Sequence, residues 1–277
     1  MNFSEKLEAA VKEKNSCLML GLDPNPDKMP AHFSKDAEGC REFCEQMMAV
    51  CEDLICGVKI QMAYFEVFGS EGIKAVEELL KSAKEKNLIP LIDGKRNDIG
   101  STAEAYAKAY LGDGPLGADC LTVNPLLGTD GLQPFVKACE KNDRGIFVLV
   151  RTSNPSSEEF QGGKKELSIA IAEKVEEWNI TTQSEQNQLA SIGAVVGATL
   201  EGALSFFREE MPHAWILAPG VGAQGGSLEE ALKIRQDGLG LLIPVSRAVL
   251  YAGDGKDFLE KSRLALMELY EAQVTKE

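Results

Sequence analysis

The sequence predicts an α/β protein, a closed (β/α)8 TIM barrel, and three observations support this fold class. Eight short apolar segments are spaced along the 277 residues. Amphipathic stretches lie between them, and polar or Gly/Pro-rich corners follow the apolar segments. Eight strand–helix repeats in this length favour a closed barrel with the active site at the carboxyl ends of its strands. A doubly wound open sheet is the alternative. No linker divides the chain, so residues 1–277 are predicted to form a single domain.

The predicted elements alternate along the whole chain. The strands cover residues 17–22, 57–61, 88–92, 120–123, 145–150, 194–198, 215–218 and 240–244. The amphipathic stretches include residues 70–86, 101–111, 132–141, 168–179 and 228–236. Ser101 and Glu104 have the spacing of a capping box, so Ser101 is predicted to cap the second of these helices.

Composition excludes several classes of protein. The formal net charge of −14, with no cluster of Lys and Arg, argues against a nucleic-acid surface. No apolar run has the length of a membrane span, and the first residues lack the features of a signal peptide, which predicts a cytoplasmic protein. The seven cysteines contain no C-x-x-C pair and are predicted to be reduced core thiols, with structural zinc as the alternative.

The third predicted strand runs directly into charged residues and carries the strongest functional signal. Asp93 and Lys95 are two residues apart, so on an extended chain their side chains leave the same face and can contact one substrate. Asp98 follows beyond the strand. It could simply start the next helix, but Ser101 offers a separate cap, which weakens that interpretation.

Other strand ends carry polar side chains that would meet at the same rim. Asp23 lies in a proline-stiffened corner after the first strand, where a purely structural turn role is an alternative. Lys59 lies in the second strand, where burial is costly unless its ammonium finds a carboxylate such as Asp93. Ser153 follows the fifth strand and could hydrogen-bond a base amide. The long polar stretch after it suggests a lid or an ordinary surface excursion.

The corner after the seventh strand predicts a phosphate site. Residues 220–225 formally match G-x-G-x-x-G. The acidic residue that would bind the ribose of a dinucleotide is missing, and Arg247 ends the following strand. Loops after strands seven and eight commonly bind phosphate in these barrels. Gln224 and Arg247 are predicted as its side-chain ligands, with an ordinary Gly-rich corner as the alternative.

Asp93-x-Lys95-x-x-Asp98-Ile at a strand end resembles the signature of orotidine 5'-phosphate decarboxylases. The pattern recurs in order from Asp23 to Arg247, and residues 124–128 are similar to the family's second bacterial subgroup (type 2). The resemblance implies that Lys59, Asp93 and Lys95 form a charge array with an Asp of a second subunit, and that Asp98 and Thr102 cross a homodimer interface. It also implies that the ligand-binding residues are Asp23 for ribose, Ser153 for the pyrimidine, and Gln224 and Arg247 for phosphate.

The reaction implied by this resemblance is loss of CO2 from orotidine 5'-phosphate to give UMP, with neither metal nor organic cofactor. Lys95 would then protonate C6, kept charged by Asp93 and by the visiting Asp98. Ser246 stands where many members have glycine and could crowd the phosphate. Two rival functions remain: a metal-assisted sugar-phosphate decarboxylase of the same superfamily, in which an acid would replace Lys59, and a non-catalytic nucleotide-binding protein.

Overall fold

The computed structural model of the chain describes residues 1–161, 167–182, 188–221 and 225–275. Across these residues, eight parallel strands close into a barrel in which each strand pairs with the next and β8 pairs with β1. The predicted (β/α)8 fold is therefore confirmed. The strands are β1 Leu18–Leu22, β2 Gly57–Gln61, β3 Ile89–Arg96, β4 Cys120–Val123, β5 Gly145–Arg151, β6 Ile192–Val196, β7 Ile216–Leu217 and β8 Leu241–Val245.

Helices surround the barrel and connect its strands. They are α1 Phe3–Lys14, α2 Ala37–Cys51, α3 Ala63–Glu66, α4 Ser70–Glu85, α5 Gly100–Leu111, α6 Thr129–Asn142, α7 Glu158–Gln161, α8 Leu167–Thr182, α9 Ala203–Glu210, α10 Leu228–Leu232, α11 Arg247–Leu250 and α12 Phe258–Val274, with a short 3₁₀ helix at Pro155–Ser157. No helix within the described ranges combines the length and apolar character needed to cross a bilayer.

The core has two layers because alternate strand residues face opposite sides of the sheet. In β5, Ile146 and Val148 pack against the surrounding helices, whereas Phe147 points into the barrel. All seven cysteines are buried and free, which confirms that they are core thiols. Burial raises the pKa of the Cys40 thiol to about 11 and that of Cys51 to about 12, so both stay protonated at neutral pH.

Helix α1 covers the amino-terminal end of the barrel. Asn2 caps it in a reciprocal capping box with Glu5, and Phe3 meets the Phe147 ring edge to face at 6.4 Å. The buried Ser4 hydroxyl donates to the Leu189 carbonyl and accepts from Trp215 Nε1, both at 2.9 Å. With this end covered, a ligand reaches the barrel interior from the carboxyl ends of the strands.

Several predicted helix boundaries are wrong: α6 begins three residues before the predicted residue 132, α8 ends three residues after the predicted residue 179, and two more have a clear backbone cause. Helix α5 begins at Gly100 and its N-cap residue is Ile99, with no side-chain cap. Gly100 has a φ of +52°, which lets the helix start one residue early, so Ser101 lies inside its first turn and does not cap it. Helix α10 ends at Leu232 rather than at residue 236. A tight turn with positive φ at Asp237 and Gly238 replaces its last turn.

A buried arginine joins the strands at the amino-terminal side of β7 and β8. Arg208, on α9, is 8% exposed and donates to the carbonyls of Met211 (2.9 Å), Ala214 (2.8 Å) and Gly240 (2.6 Å). Burial lowers the pKa of Arg208 to about 10, and Glu176 offsets only part of that effect. The guanidinium therefore works mainly as a donor to backbone carbonyls.

Removing this donor should destabilise the fold. We expect Arg208→Met to lower the free energy of unfolding by about 2–3 kcal/mol, because buried carbonyls lose a charged donor. Urea denaturation followed by circular dichroism measures the loss. Lys81→Met is the control, since Lys81 forms an exposed pair with Glu85 worth less than about 1 kcal/mol. A change of under about 0.5 kcal/mol for Arg208→Met would contradict this role.

Candidate active site

A cavity of about 400 Å³ opens at the carboxyl ends of the strands. Parallel pairing places neighbouring strand ends at one rim, with Gly21 beside Lys59 and Gln61 beside Asp93. Six of the nine site residues predicted from sequence line this cavity: Asp23, Lys59, Asp93, Lys95, Ser153 and Arg247. The structure thus brings together charged side chains that lie far apart in the sequence.

Four of these side chains form a row of alternating charge. Lys59 Nζ lies 3.6 Å from Asp23 Oδ1 and 3.2 Å from Asp93 Oδ2. Lys95 Nζ lies 2.6 Å from Asp93 Oδ1. The order is therefore Asp23, Lys59, Asp93 and Lys95. Each buried charge has an opposite charge beside it, which offsets its desolvation.

Asp93 is the centre of the row. Its carboxylate also accepts hydrogen bonds from Gln61 Nε2 and Thr122 Oγ1, each at 2.9 Å. Burial works to raise the pKa of Asp93, but the charges of Lys59 and Lys95 and the hydrogen bonds from Lys95 and Thr122 outweigh it, so the pKa falls to about 2. The carboxylate is fully ionised at neutral pH.

The two lysines differ in their access to solvent. Lys59 is 7% exposed; burial works to lower its pKa, but attraction to Asp93 and Asp23 outweighs burial and raises it. The Lys95 side chain is 47% exposed, so its ammonium reaches both the cavity and water. Lys59 is therefore enclosed between two carboxylates, whereas Lys95 is accessible from the cavity and from solvent.

Lys95 has an unusual backbone conformation. Its φ is +45°, in the left-handed region that non-glycine residues rarely adopt. The pairing of β3 with β4 also shifts register between Ile92 and Arg96. Such bulges re-aim side chains and are frequent beside active sites.

Arg247 lines the same cavity, at the start of α11, which follows β8 beside β1. Gly220 and Gly225, in the neighbouring corner, have φ of +102° and +89°. A Cβ at Gly226 would lie 2.7 Å from the Gly220 carbonyl oxygen, so this corner is too tight for a side chain there. Gln224, the other predicted phosphate ligand, lies outside the described residues.

Ser246 packs against β1. A Cβ at Gly21 would lie 2.8 Å from the Ser246 Cβ, so the glycine leaves the space that the serine fills. The Ser246 Oγ is buried and has no hydrogen-bond partner among the described residues. Its side chain therefore rests on Gly21 while the residue lines the cavity beside Arg247.

Asp98 and Thr102 lie away from the cavity of their own chain. The Asp98 carboxylate is partly exposed and accepts a 2.8 Å hydrogen bond from the Ile99 N–H, and Thr102 is exposed on α5. Large apolar side chains after β2, β3 and β4 are exposed on this side of the barrel, including Val67 (75%), Ile99 (57%) and Leu126 (73%). This surface is defined as the α3–α6 patch.

A short folded segment follows β5 beside the cavity. The Thr152 N–H donates to Gln161 Oε1 at 2.7 Å, and Arg151 pairs with Glu158, so both ends of α7 are tied to the end of β5. Ser153 lies between these two contacts and packs on Gly197. A Cβ added at Gly197 would lie 2.7 Å from the Ser153 Cβ. The segment therefore holds Ser153, the residue predicted to bind the pyrimidine, at the rim of the cavity.

Two residues that contact Asp93 were missed from the sequence. Gln61 follows Lys59 by two positions and so shares its face of β2, a signal that alternation contained. Thr122 is the one hydroxyl residue in the apolar strand β4. A single polar residue in such a strand gives no indication of its partner without the neighbouring strand.

The fold and the site define a class: a (β/α)8 barrel with a charged cavity at its catalytic end. A sequence model described as "Orotidine 5'-phosphate decarboxylase / HUMPS family" matches residues 16–261. The orotidine 5'-phosphate decarboxylase of Roseiflexus castenholzii is 42% identical over 98% of this chain and 97% of its own length. The Leishmania donovani OMP decarboxylase structure matches with a TM-score of 0.82 at 34% identity, covering 99% of this chain and 98% of that one. The chain belongs to the orotidine 5'-phosphate decarboxylase / HUMPS family.

The ionised Asp93 should stabilise the fold in a pH-dependent way. We expect Asp93→Asn to lower the free energy of unfolding by about 3 kcal/mol at pH 7, because Lys59 loses its nearest counter-charge. The folded pKa of Asp93, about 2, lies below the ordinary value of 3.8. The stabilisation that the ionised Asp93 supplies is therefore complete above pH 3.8 and is lost as the pH falls through about 2.

Urea denaturation at a series of pH values measures this difference. The difference in free energy of unfolding between wild type and Asp93→Asn should become smaller as the pH falls from 3.8 to about 2. Asp143→Asn is the matched control, because Asp143 is an exposed helix C-cap. A gap that stays constant with pH would contradict the ionised state of Asp93.

Proposed function

We propose that this protein decarboxylates orotidine 5'-phosphate to UMP and CO2 in pyrimidine biosynthesis, and that it does so in the cytoplasm. The observation that carries the proposal is the row Asp23, Lys59, Asp93 and Lys95, which lines one cavity together with Arg247. Near-full-length similarity to proteins named orotidine 5'-phosphate decarboxylase supports it. The reduced, buried thiols are consistent with a cytoplasmic protein.

In this reaction, the bond between C6 and the carboxylate breaks and its electron pair stays on C6. The pyrimidine ring hardly delocalises that charge, so catalysis depends on stabilising a carbanion at one carbon. The Lys95 ammonium is the proposed stabilising cation, and it donates a proton to C6 as CO2 departs. Because its side chain is half exposed, solvent can return the proton to Lys95 after turnover.

Asp93 and Lys59 set the electrostatics around this proton transfer. Asp93 would lie beside the substrate carboxylate, a like-charge contact that is relieved when CO2 leaves. Lys59 would hold the negative charge of Asp93 in place throughout. In this mechanism the protein supplies the cation and the proton, so neither metal nor organic cofactor takes part.

The other cavity residues would bind the remainder of the nucleotide. Arg247 and Gln224 would hold the phosphate, Arg247 through a forked pair of donors. Asp23 would bind the ribose hydroxyls and Ser153 the pyrimidine edge. Binding energy gained at the phosphate can then hold the base against Lys95, so it contributes to turnover as well as to affinity.

We also propose a homodimer in which Asp98 and Thr102 reach the cavity of the partner subunit. The exposed α3–α6 patch supports this arrangement, because large apolar side chains in an exposed group indicate a protein interface. Asp98 lies on the same side of the barrel. A visiting carboxylate would extend the alternating row to a fifth charge beside Lys95. With its strongly acidic surface, the dimer is expected to bind neither nucleic acid nor membranes.

The rival within the family is a metal-assisted sugar-phosphate decarboxylase. That chemistry calls for an acid at the end of β2 to help hold a divalent cation. Lys59 occupies this position and already pairs with Asp93. The charge at this point is therefore wrong for the rival function and suited to the proposed one.

Replacing the proton donor should abolish turnover without unfolding the protein. We expect wild type to convert orotidine 5'-phosphate to UMP in EDTA, and Lys95→Ala to be slower by at least about 10³-fold, the upper range for a general acid. Ultraviolet absorbance follows the conversion. Lys12→Ala, an exposed lysine at the covered end of the barrel, is the control. EDTA inhibition of wild type would favour the rival, and most activity in Lys95→Ala would exclude Lys95 as donor.

Mixing inactive subunits tests the shared site. Lys95→Ala and Asp98→Ala dimers should each be inactive, but a heterodimer of the two contains one intact site, so random mixing should restore about a quarter of wild-type activity. Lys95→Ala mixed with Lys59→Ala is the matched control. Lys95 and Lys59 both act in the cavity of their own subunit, so each site of this heterodimer lacks one lysine, and no activity should return. Equal results for the two mixtures, with heterodimers detected by mass, would refute the crossing of Asp98.

A further inference from the structure

The hydroxyl of Thr122 joins the two residues at the centre of the site. Thr122 is 1% exposed; its Oγ1 donates to Asp93 Oδ1 at 2.9 Å and accepts the Lys95 N–H at 3.0 Å. The direction of both bonds is fixed by chemistry. A backbone N–H can only donate and an ionised carboxylate can only accept, so the hydroxyl proton points to Asp93.

Thr122 also faces the irregular part of β3. Ile92 pairs with Leu121 and Arg96 pairs with Val123, so residues 93–95 on β3 oppose Thr122 alone on β4. The regular ladder is therefore broken at Lys95. The Lys95 N–H donates to the Thr122 side chain on β4. Lys95 is also the residue whose φ is +45°.

We propose that Thr122 is a positioning residue, which fixes the Asp93 carboxylate and the left-handed backbone of Lys95 in the one arrangement that aims the ammonium at the ligand. This inference rests on the proposed function. A sparsely populated backbone conformation persists only where its surroundings determine it, and the Thr122 hydroxyl is such a determinant.

The two oxygens of Asp93 differ in what holds them during turnover. Oδ2 is held by Lys59 and Gln61, neither of which takes part in proton transfer. Oδ1 is held by Lys95 and Thr122. When Lys95 gives its proton to C6, it becomes a neutral amine and a weaker partner. Thr122 then remains as the neutral donor that keeps Oδ1 in place for the next cycle.

The test compares Thr122→Val, which keeps the shape and loses the hydroxyl, with Thr122→Ser, which keeps the hydroxyl. We expect Thr122→Val to lower kcat about 10- to 100-fold, the value of one hydrogen bond to a charged group, while KM for orotidine 5'-phosphate changes less than about threefold. Thr122→Ser should retain kcat within about threefold of wild type. If Thr122→Val does not fold, Thr122→Ala set against Thr122→Ser isolates the same hydroxyl.

Two further readouts separate positioning from stability. Loss of the Thr122 bond should raise the pKa of Asp93, measured by carboxyl ¹³C NMR, and move the acidic limb of the pH–rate profile upward. Ser4→Ala is the matched control: it removes a buried hydroxyl with two partners at the covered end of the barrel. It should lower stability and leave kcat unchanged.

The outcomes distinguish this inference from the proposed function. Wild type that fails to convert orotidine 5'-phosphate would refute the proposed function, and the pKa of Asp93 in Thr122→Val would still test the hydroxyl's role. An unchanged kcat in Thr122→Val, or equal losses in the valine and serine variants, would overturn the role of Thr122. So would an Asp93 pKa that is the same in Thr122→Val and wild type.

Discussion

The site depends on one buried charge, the carboxylate of Asp93. An ionised acid that is only 8% exposed is costly unless opposite charges and hydrogen-bond donors surround it. Lys59 and Lys95 supply the charges, and Gln61 and Thr122 supply neutral donors. These groups come from three adjacent strands, so the ends of β2, β3 and β4 must keep a fixed register for the charge to be stable.

The barrel makes this arrangement possible through its two different ends. Helix α1 and the Ser4 hydrogen bonds cover the amino-terminal end, and buried Arg208 ties the start of β8 to the connection before β7. The carboxyl end is left open, where the strands finish in charged residues. Packing below the rim holds side chains of strands β2 to β8, and Asp23 just after β1, around one cavity.

Two departures from regular structure lie at the rim. Lys95 combines a positive φ with a shifted strand register, and Gly226 lies in a corner that would not accept a side chain. Regular strands would point alternate residues inward and outward without exception. Lys95 still shares the cavity face with Asp93, as regular alternation predicts, but its backbone lies in the left-handed region, and the Thr122 hydroxyl on β4 stabilises that conformation.

The fold class and the identity of the charged residues at the rim could be predicted from the amino-acid pattern. Apolar runs and the i, i+2 spacing of Asp93 and Lys95 are local properties, so β2 and β4 were predicted with their observed bounds and the acid–lysine pair was found. Tertiary structure decided which groups meet. The contacts of Thr122 with β3, the fit of Ser246 onto Gly21, and the loss of the Ser101 cap at Gly100 all depend on strand register or backbone angles. Those quantities are set by packing between distant segments, and a local residue pattern does not encode them.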